Sequence, residues 1–388
     1  MPSAIRPPVD PDARRSVALL SFIHGLVHGN ILAIPIFLSL AWREEFHADD
    51  LTLGLLAATA FVAFGIGSIP FGYIADRRGS AHLLLACVSG IALSLTAVSL
   101  SPTLPVLAAS LASVGLFSGI YHPTGLSFIS RRVREQGRGM GWHGMGGSLG
   151  IALGPAVVGA LLSIGIPWRS AAALLTLPAI SDIALLSVRP LEDPVPAPRN
   201  PRGLGQAILS VMSPAFALVL FVYMFAGVAY WGSLTFLPRF VGPASYVFLL
   251  GLGAVGQVLS GHLAERTVPG RTLFLLSAVG AGLLASLATG VAPIVIAGSS
   301  AFGFILFSLE PLQNTLVTHA VPAGSRGVAF GVTFLSVFGV GSIGAVLAGY
   351  LLSRNEPGLL FLILAAFLAL SGLCGWRAGI LTRRKANP

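Results

Sequence analysis

Gly72-Tyr73-Ile74-Ala75-Asp76-Arg77-Arg78-Gly79-Ser80 places one aspartate and two arginines in a short turn between two long apolar runs. Charge is tolerated at a membrane surface but is costly in hydrocarbon, and arginine-rich turns stay on the cytoplasmic side. The turn is therefore expected to face the cytoplasm, and the rest of the chain is oriented from it.

Working outward, 55% of the 388 residues are hydrophobic, only 10% are charged, and the mean hydropathy is +0.86. A soluble domain has no use for so much apolar sequence, so the composition specifies an integral membrane protein. Crossing about 30 Å of hydrocarbon takes roughly 20 apolar residues. Runs of that size lie near 17–41, 51–75, 81–100, 104–129, 138–163 and 169–189, and again near 211–237, 244–264, 272–290, 292–318, 327–352 and 358–377. No cleavable signal peptide is expected, because the first apolar run is too long and follows a proline-rich polar lead.

With the start of the chain inside, 19 of the 23 Lys and Arg residues fall on the inner side, and only Arg43, Arg169, Arg239 and Arg354 fall outside. That asymmetry predicts both termini in the cytoplasm of a plasma (inner) membrane. It also makes the net charge of +9 a topology signal, so no nucleic-acid partner is expected. Cys87 and Cys374 sit within apolar spans, which argues against a disulfide framework or a thiolate metal site. No cofactor is expected.

A proline-rich stretch from Pro190 to Pro201 cannot be helical and separates two six-span halves. The expected division is 1–190, a cytoplasmic linker over 191–210, and 211–388. The halves echo one another. Gly72, Asp76 and Arg77 return at identical internal spacing as Gly261, Glu265 and Arg266. At almost the same offset, His122-Pro123 and Arg138-Gly139 return as Glu310-Pro311 and Arg326-Gly327. The fold class that follows is an all-α membrane protein of twelve helices in two pseudo-symmetric halves. Such halves alternate access by rocking about a site at the midplane.

The turn at 72–80 resembles the signature Gly-x-x-x-Asp-Arg-x-Gly-Arg between helices 2 and 3 of the major facilitator superfamily, with Ser80 in the last place. The fifth span is similar to the helix 5 signature of proton-coupled drug exporters in that superfamily. It carries Gly141, Gly150, Gly154-Pro155 and Gly159, with Val158 replacing the first glycine of the closing pair. His24, Tyr121-His122-Pro123, Arg138-Gly139 and the run Gly146-Gly147-Ser148-Leu149-Gly150 resemble fosmidomycin-resistance-type exporters. The resemblance implies antiport, and therefore drug efflux, and it gives gating or conformational roles to Gly72, Asp76, Arg77, Gly79, Glu265, Arg266, Gly150, Gly154 and Pro155. Generic close helix packing is the alternative reading of the helix 5 glycines. Those exporters commonly carry an arginine in the middle of helix 4, whereas Ser110-Leu111-Ala112-Ser113-Val114-Gly115 has none.

The superfamily resemblance also implies that helices 1, 4, 7 and 10 line a central cavity with 2, 5, 8 and 11 beside them. The intramembrane polar residues follow that division: His24, His28 and Asn30, then His122, His143, Tyr223 and Tyr230, and finally Glu310, Gln313 and Asn314, of which all but Glu310 are the candidates for binding substrate. Asp182, on helix 6, is the exception and reads as a structural contact. With a helical rise of about 1.5 Å per residue, the histidines and Glu310 could share one layer in the inner half of the cavity. An ionised carboxylate is costly there and histidine titrates near neutrality, so Glu310 with His122 or His24 has the parts of a proton relay; a salt-bridging structural role is the alternative for Glu310. The spacing of His24 and His28 puts both on one helix face, where they could simply hydrogen-bond across a packed interface. A metal site is not expected, since no cysteine or carboxylate is near the pair in sequence.

The acidic cluster Glu44, Glu45, His47, Asp49 and Asp50 reads as a solvated outer loop. Arg131, Arg132 and Arg134 read as an inner anchor to anionic headgroups. No Lys or Arg lies deep in a span, which favours a neutral or weakly acidic, partly lipophilic solute over a phosphate ester. The expected function is proton-coupled export of a small molecule by a single chain in the bilayer, with symport of a small organic acid as the rival. A membrane enzyme would need large extramembrane loops or a nucleophile with an orienting base, and a sensor an added soluble domain.

Overall fold

A computed structural model describes residues 11–133, 136–188, 190–191, 203–322 and 325–386, without the side chains of 76–78, 127, 130–132, 136–141, 265 and 384–386. Among the described residues the chain is helical throughout, and helices long and apolar enough to cross a membrane follow one another. They are α1 (Pro11–Glu45), α2 (Asp50–Ala75), α3 (Ala81–Ser99), α4 (Leu104–Leu126), α5 (Trp142–Ser163) and α6 (Trp168–Val188). Next comes Pro214–Ala264, a continuous segment broken at Gly242, whose φ of 77° and ψ of 161° are not helical. It therefore divides into α7 (214–241) and α8 (243–264). After it come α9 (Pro269–Leu287), α10 (Ala292–Ala320), α11 (Arg326–Ser353) and α12 (Pro357–Arg383). The twelve spans leave the two ends of the described chain, Pro11 and Ala386, on one face.

The sequence suggests a connection of several residues between the seventh and eighth spans, but the chain reverses on Gly242 alone. Glycine accepts that positive φ without a Cβ clash, and Pro243 starts the next helix in a position that needs no N–H. The linker residues 192–202 lie outside the described residues. Beyond them a short helix, Leu204–Val211, runs against the start of α11.

Lipid tails are as apolar as leucine, so helix association in a bilayer rests on close approach through small residues. Ser21, Gly25 and Gly29 on α1 face Gly146, Gly150 and Gly154 on α5, and a Cβ at Gly150 or Gly154 would fall on the backbone of Gly25 or Gly29. The second half repeats the arrangement, with Gly227 and Gly232 of α7 against Gly341 and Gly344 of α11. Between the halves, α2 runs along α11. Gly54 meets Ala345 and Gly349 at one end, Gly65 meets Gly339 in the middle, and Ser68 and Ile69 meet Gly331 towards the other end. A π-helical turn at Leu335–Val340 opens α11 where it crosses Gly65.

Both turns flanking α2 follow local chemistry. Asp49 caps its start by accepting from the Thr52 N–H at 2.8 Å, and these Thr52 hydrogen bonds hold the Asp49 carboxyl below the usual range. Gly79 ends the extended helix with φ 93° while its N–H bonds Ala75 at 3.2 Å, a conformation that favours glycine.

Candidate functional site

The halves enclose a cavity of about 70 Å³. From the first half it receives His28 on α1 and His122 on α4. From the second it receives Tyr223 and Tyr230 on α7 with Glu310, Gln313 and Asn314 on α10. Half of the remaining lining residues are aromatic: Trp231, Phe307, Phe334 and Phe338. A space of this size holds a few waters and no drug-sized solute, so loading requires the halves to part.

At the cavity wall and behind it the imidazoles form a cluster. The ring centroid of His24 lies 4.1 Å from that of His143, 4.7 Å from that of His28 and 5.0 Å from that of His122, while His28 and His122 are 5.1 Å apart. The expected layer of histidines exists because one turn of α1 presents His24 and His28 to α4 and α5. Gly147 is what admits His24. A Cβ at residue 147 would sit 2.6 Å from the His24 Nδ1. The Tyr121 hydroxyl donates to the Leu20 carbonyl, tying α4 to α1 beside the cluster.

Glu310 is held by a residue that sequence reading passed over. Gln257 on α8 donates from Nε2 to Glu310 Oε2 at 2.9 Å, and its Oε1 accepts from the Ser148 hydroxyl on α5 at 2.8 Å. The carboxylate in one half is thus connected to the other half through one amide. A lone glutamine in an apolar span was the available signal, since an amide in hydrocarbon needs partners. Tyr223 donates its hydroxyl to Asn314 Oδ1 at 2.7 Å. Trp231, also missed, stacks on Phe61 of α2 at 3.8 Å and donates to the Val337 carbonyl at 3.0 Å.

Three expected residues lie off the cavity wall. His24 and His143 form a second layer behind it. Asn30 is buried beside a lateral groove between α1, α5 and α6, and its Nδ2 makes no hydrogen bond among the described residues. Its place follows from the helix period, since two residues beyond His28 is the opposite side of α1. Asp182 is fully buried on α6, and its carboxylate has no hydrogen-bond partner among the described residues.

Of the residues expected to have gating roles, Gly72 sits where a Cβ would approach Pro123 on α4 at 3.0 Å, and Gly79 terminates α2. Gly150 and Gly154 make the contact with α1, Pro155 lies within α5, and Arg266 is exposed just past α8. The side chains of Asp76, Arg77, Glu265, Arg131, Arg132 and Arg138, together with Arg134, lie outside the described residues.

The acidic cluster at 44–50 departs from its reading as a solvated loop. Asp50 is buried, pairs with Arg43 in its own half, and accepts from Arg239 at the end of α7 at 2.6 Å. Arg239 comes from the other half, so the pair fastens the halves at the end remote from the termini. Glu45 pairs with Arg169, which lies over the Trp168 ring at 4.3 Å. Three of the four outlying arginines thus have acidic partners.

The profile of the Major Facilitator Superfamily matches residues 17–345. The chain is 24% identical over 379 residues to a gentisate transporter of Corynebacterium glutamicum, covering 88% of this chain and 82% of that one. It is 25% identical over 397 residues to a fosmidomycin resistance protein of Escherichia coli, covering 92% and 90%. Among solved structures, a bacterial homologue of the human lysosomal transporter Spinster, inward-facing and occupied, shares the fold with a TM-score of 0.70 at 18% identity, covering 97% of each chain. With the profile matched over most of its length and twelve spans in two halves, the chain belongs to the Major Facilitator Superfamily of membrane transporters, not to an enzyme family.

Proposed function

We propose that the protein is a proton-coupled exporter of small, neutral or weakly acidic aromatic molecules, working by antiport across the plasma (inner) membrane with both termini cytoplasmic. The observation that carries this reading is the cavity itself, with Glu310 from one half and His28 and His122 from the other around an aromatic wall. Aromatic faces bind planar apolar solutes, while the imidazoles, tyrosines and amides supply a few directed hydrogen bonds.

Glu310 is the proton carrier in this reading, with His122 and His24 as its relay. An ionised carboxylate only accepts hydrogen bonds, whereas a protonated one carries a donor. Taking up a proton therefore changes what Gln257 meets, and Gln257 is bonded to Ser148 across the α5–α8 contact. Protonation and the packing of the halves are linked through that amide. Export is supported by the helix 5 glycines and by the relative named for fosmidomycin resistance.

The relative named as a gentisate transporter supports a second reading, proton symport of an organic acid. Everted vesicles without an imposed gradient separate the two. On adding an aromatic solute, antiport alkalinises the lumen and symport acidifies it. The antiport signal is expected in the wild type and lost in Glu310→Gln, with His122→Ala reduced; transport intact in both variants would overturn the relay.

A further inference from the structure

We propose that His24, His28 and His122 form a binding site for one late first-row divalent cation, of the class of Zn²⁺, Co²⁺ or Ni²⁺, on the first-half side of the central cavity. Along the chain, His24 and His28 have no cysteine or carboxylate near them. The fold brings a third imidazole from α4, and the ligating nitrogens of the three rings lie within 4.8 Å of one another. Bonds of about 2.0–2.1 Å in a tetrahedron require nitrogens about 3.3 Å apart, so small ring rotations close the set.

The tautomer of His24 is fixed for this task. Its Nδ1 lies 2.8 Å from the His143 carbonyl, which can only accept, so in the neutral ring Nδ1 carries the hydrogen and Nε2 presents a lone pair. A backbone carbonyl on the second nitrogen is the usual way a metal-binding imidazole is oriented. The Nε2 atoms of His24 and His122 are both buried and make no hydrogen bond with described residues. Leaving such groups unpaired in the interior is unfavourable, and a shared cation would satisfy both at once.

The donor set selects the ion. Three imidazoles suit zinc, cobalt, nickel or copper, whereas magnesium and calcium require oxygen ligands. The fourth position opens on the cavity that His28 and His122 line, where Glu310 is the acidic side chain in the wall. Glu310 can offset the cation's charge or accept from a bound water. The other titratable rings packed on the cluster are His143 and Tyr121, both stacked on His24. Metal binding needs neutral imidazoles, so protons compete with it, binding weakens as pH falls, and His24 and His122 relay protons only while the ion is absent.

The test is direct binding, which stands whatever the solute or direction of transport. The full chain, purified without a histidine tag and treated with chelator, is titrated with Co²⁺. One equivalent per chain, with the intense visible bands of a four-coordinate site that Zn²⁺ abolishes by displacement, is the expected result. His28→Gln and His122→Gln should each weaken binding at least tenfold, while His262→Ala, on the exposed face of α8, should leave it unchanged. Thermal unfolding of each variant with and without Zn²⁺ separates misfolding from lost ligation, since a folded variant melts cooperatively yet gains no shift. Absence of the cobalt bands in the wild type, or bands that persist in the His28→Gln, His122→Gln double variant, would overturn the site.

Discussion

Gln257 donates to Glu310 at 2.9 Å while accepting from Ser148 at 2.8 Å, so the acidic residue of the cavity is joined to the opposite half by a single side chain. Gln257→Ala would remove the bond that each partner makes to this amide inside the membrane. Hydrogen bonds to charged groups contribute about 1.5–3 kcal/mol, so coupled transport should fall tenfold or more in this variant while the protein stays folded. Transport rates in proteoliposomes, read beside thermal unfolding, check this; unchanged coupling would detach the amide from the mechanism.

Asp50 and Arg239 predict a conformational effect at the far end of the molecule. Asp50→Asn removes the charge that holds Arg43 and Arg239 together across the halves. Losing about 1.4 kcal/mol of closure would raise the open population about tenfold. The buried Leu53 lines the crevice beside this pair, so a cysteine substituted there should be alkylated correspondingly faster in the Asp50→Asn background. An unchanged rate would show that the pair does not govern opening.

Glycines on one helix should differ sharply in their tolerance of a methyl group. At Gly150 a Cβ would overlap the Gly25 backbone, so Gly150→Ala must push α1 from α5 and should cost about 1–3 kcal/mol. At Gly144 nothing lies within 4 Å of the added carbon, and Gly144→Ala should be neutral or stabilising by up to about 1 kcal/mol. Thermal melts of the two variants test the packing of α1 on α5 directly.

Much of the fold was legible because membrane spans announce themselves. Long apolar runs, charge confined to the turns and a motif set that recurs in each half of the chain specify twelve helices in two halves, and the glycines of α5 announce a close neighbour. What could not be read was partnership across the halves. Asp50 reads as a loop acid because its Arg239 partner lies in the other half of the chain, and Gln257 gains its meaning only from Ser148 and Glu310 on either side of it. Depth along a helix brought the histidines into one layer, but not rotation about it. Asn30, in the right span, therefore faces a lateral groove instead of the cavity.

Trp231 offers an optical report on the same motion. It stacks on Phe61 at 3.8 Å, and the two rings belong to opposite halves. Parting the halves to admit a solute must separate them. Solute binding should therefore change tryptophan emission in the wild type, and Trp231→Phe should remove most of that change while leaving solute affinity within about threefold, an aromatic wall being retained. A response of full size in Trp231→Phe would place the motion elsewhere.

The most direct test of Glu310 as the proton carrier compares net transport with exchange in proteoliposomes holding the wild type or Glu310→Gln. An antiporter whose carboxylate is fixed neutral can still shuttle solute for solute, because the halves can rock with solute bound on either side. It cannot return empty with a proton. The account predicts that Glu310→Gln keeps solute exchange within a few-fold of the wild type while losing pH-driven accumulation altogether. Accumulation surviving in Glu310→Gln at the wild-type level would contradict it.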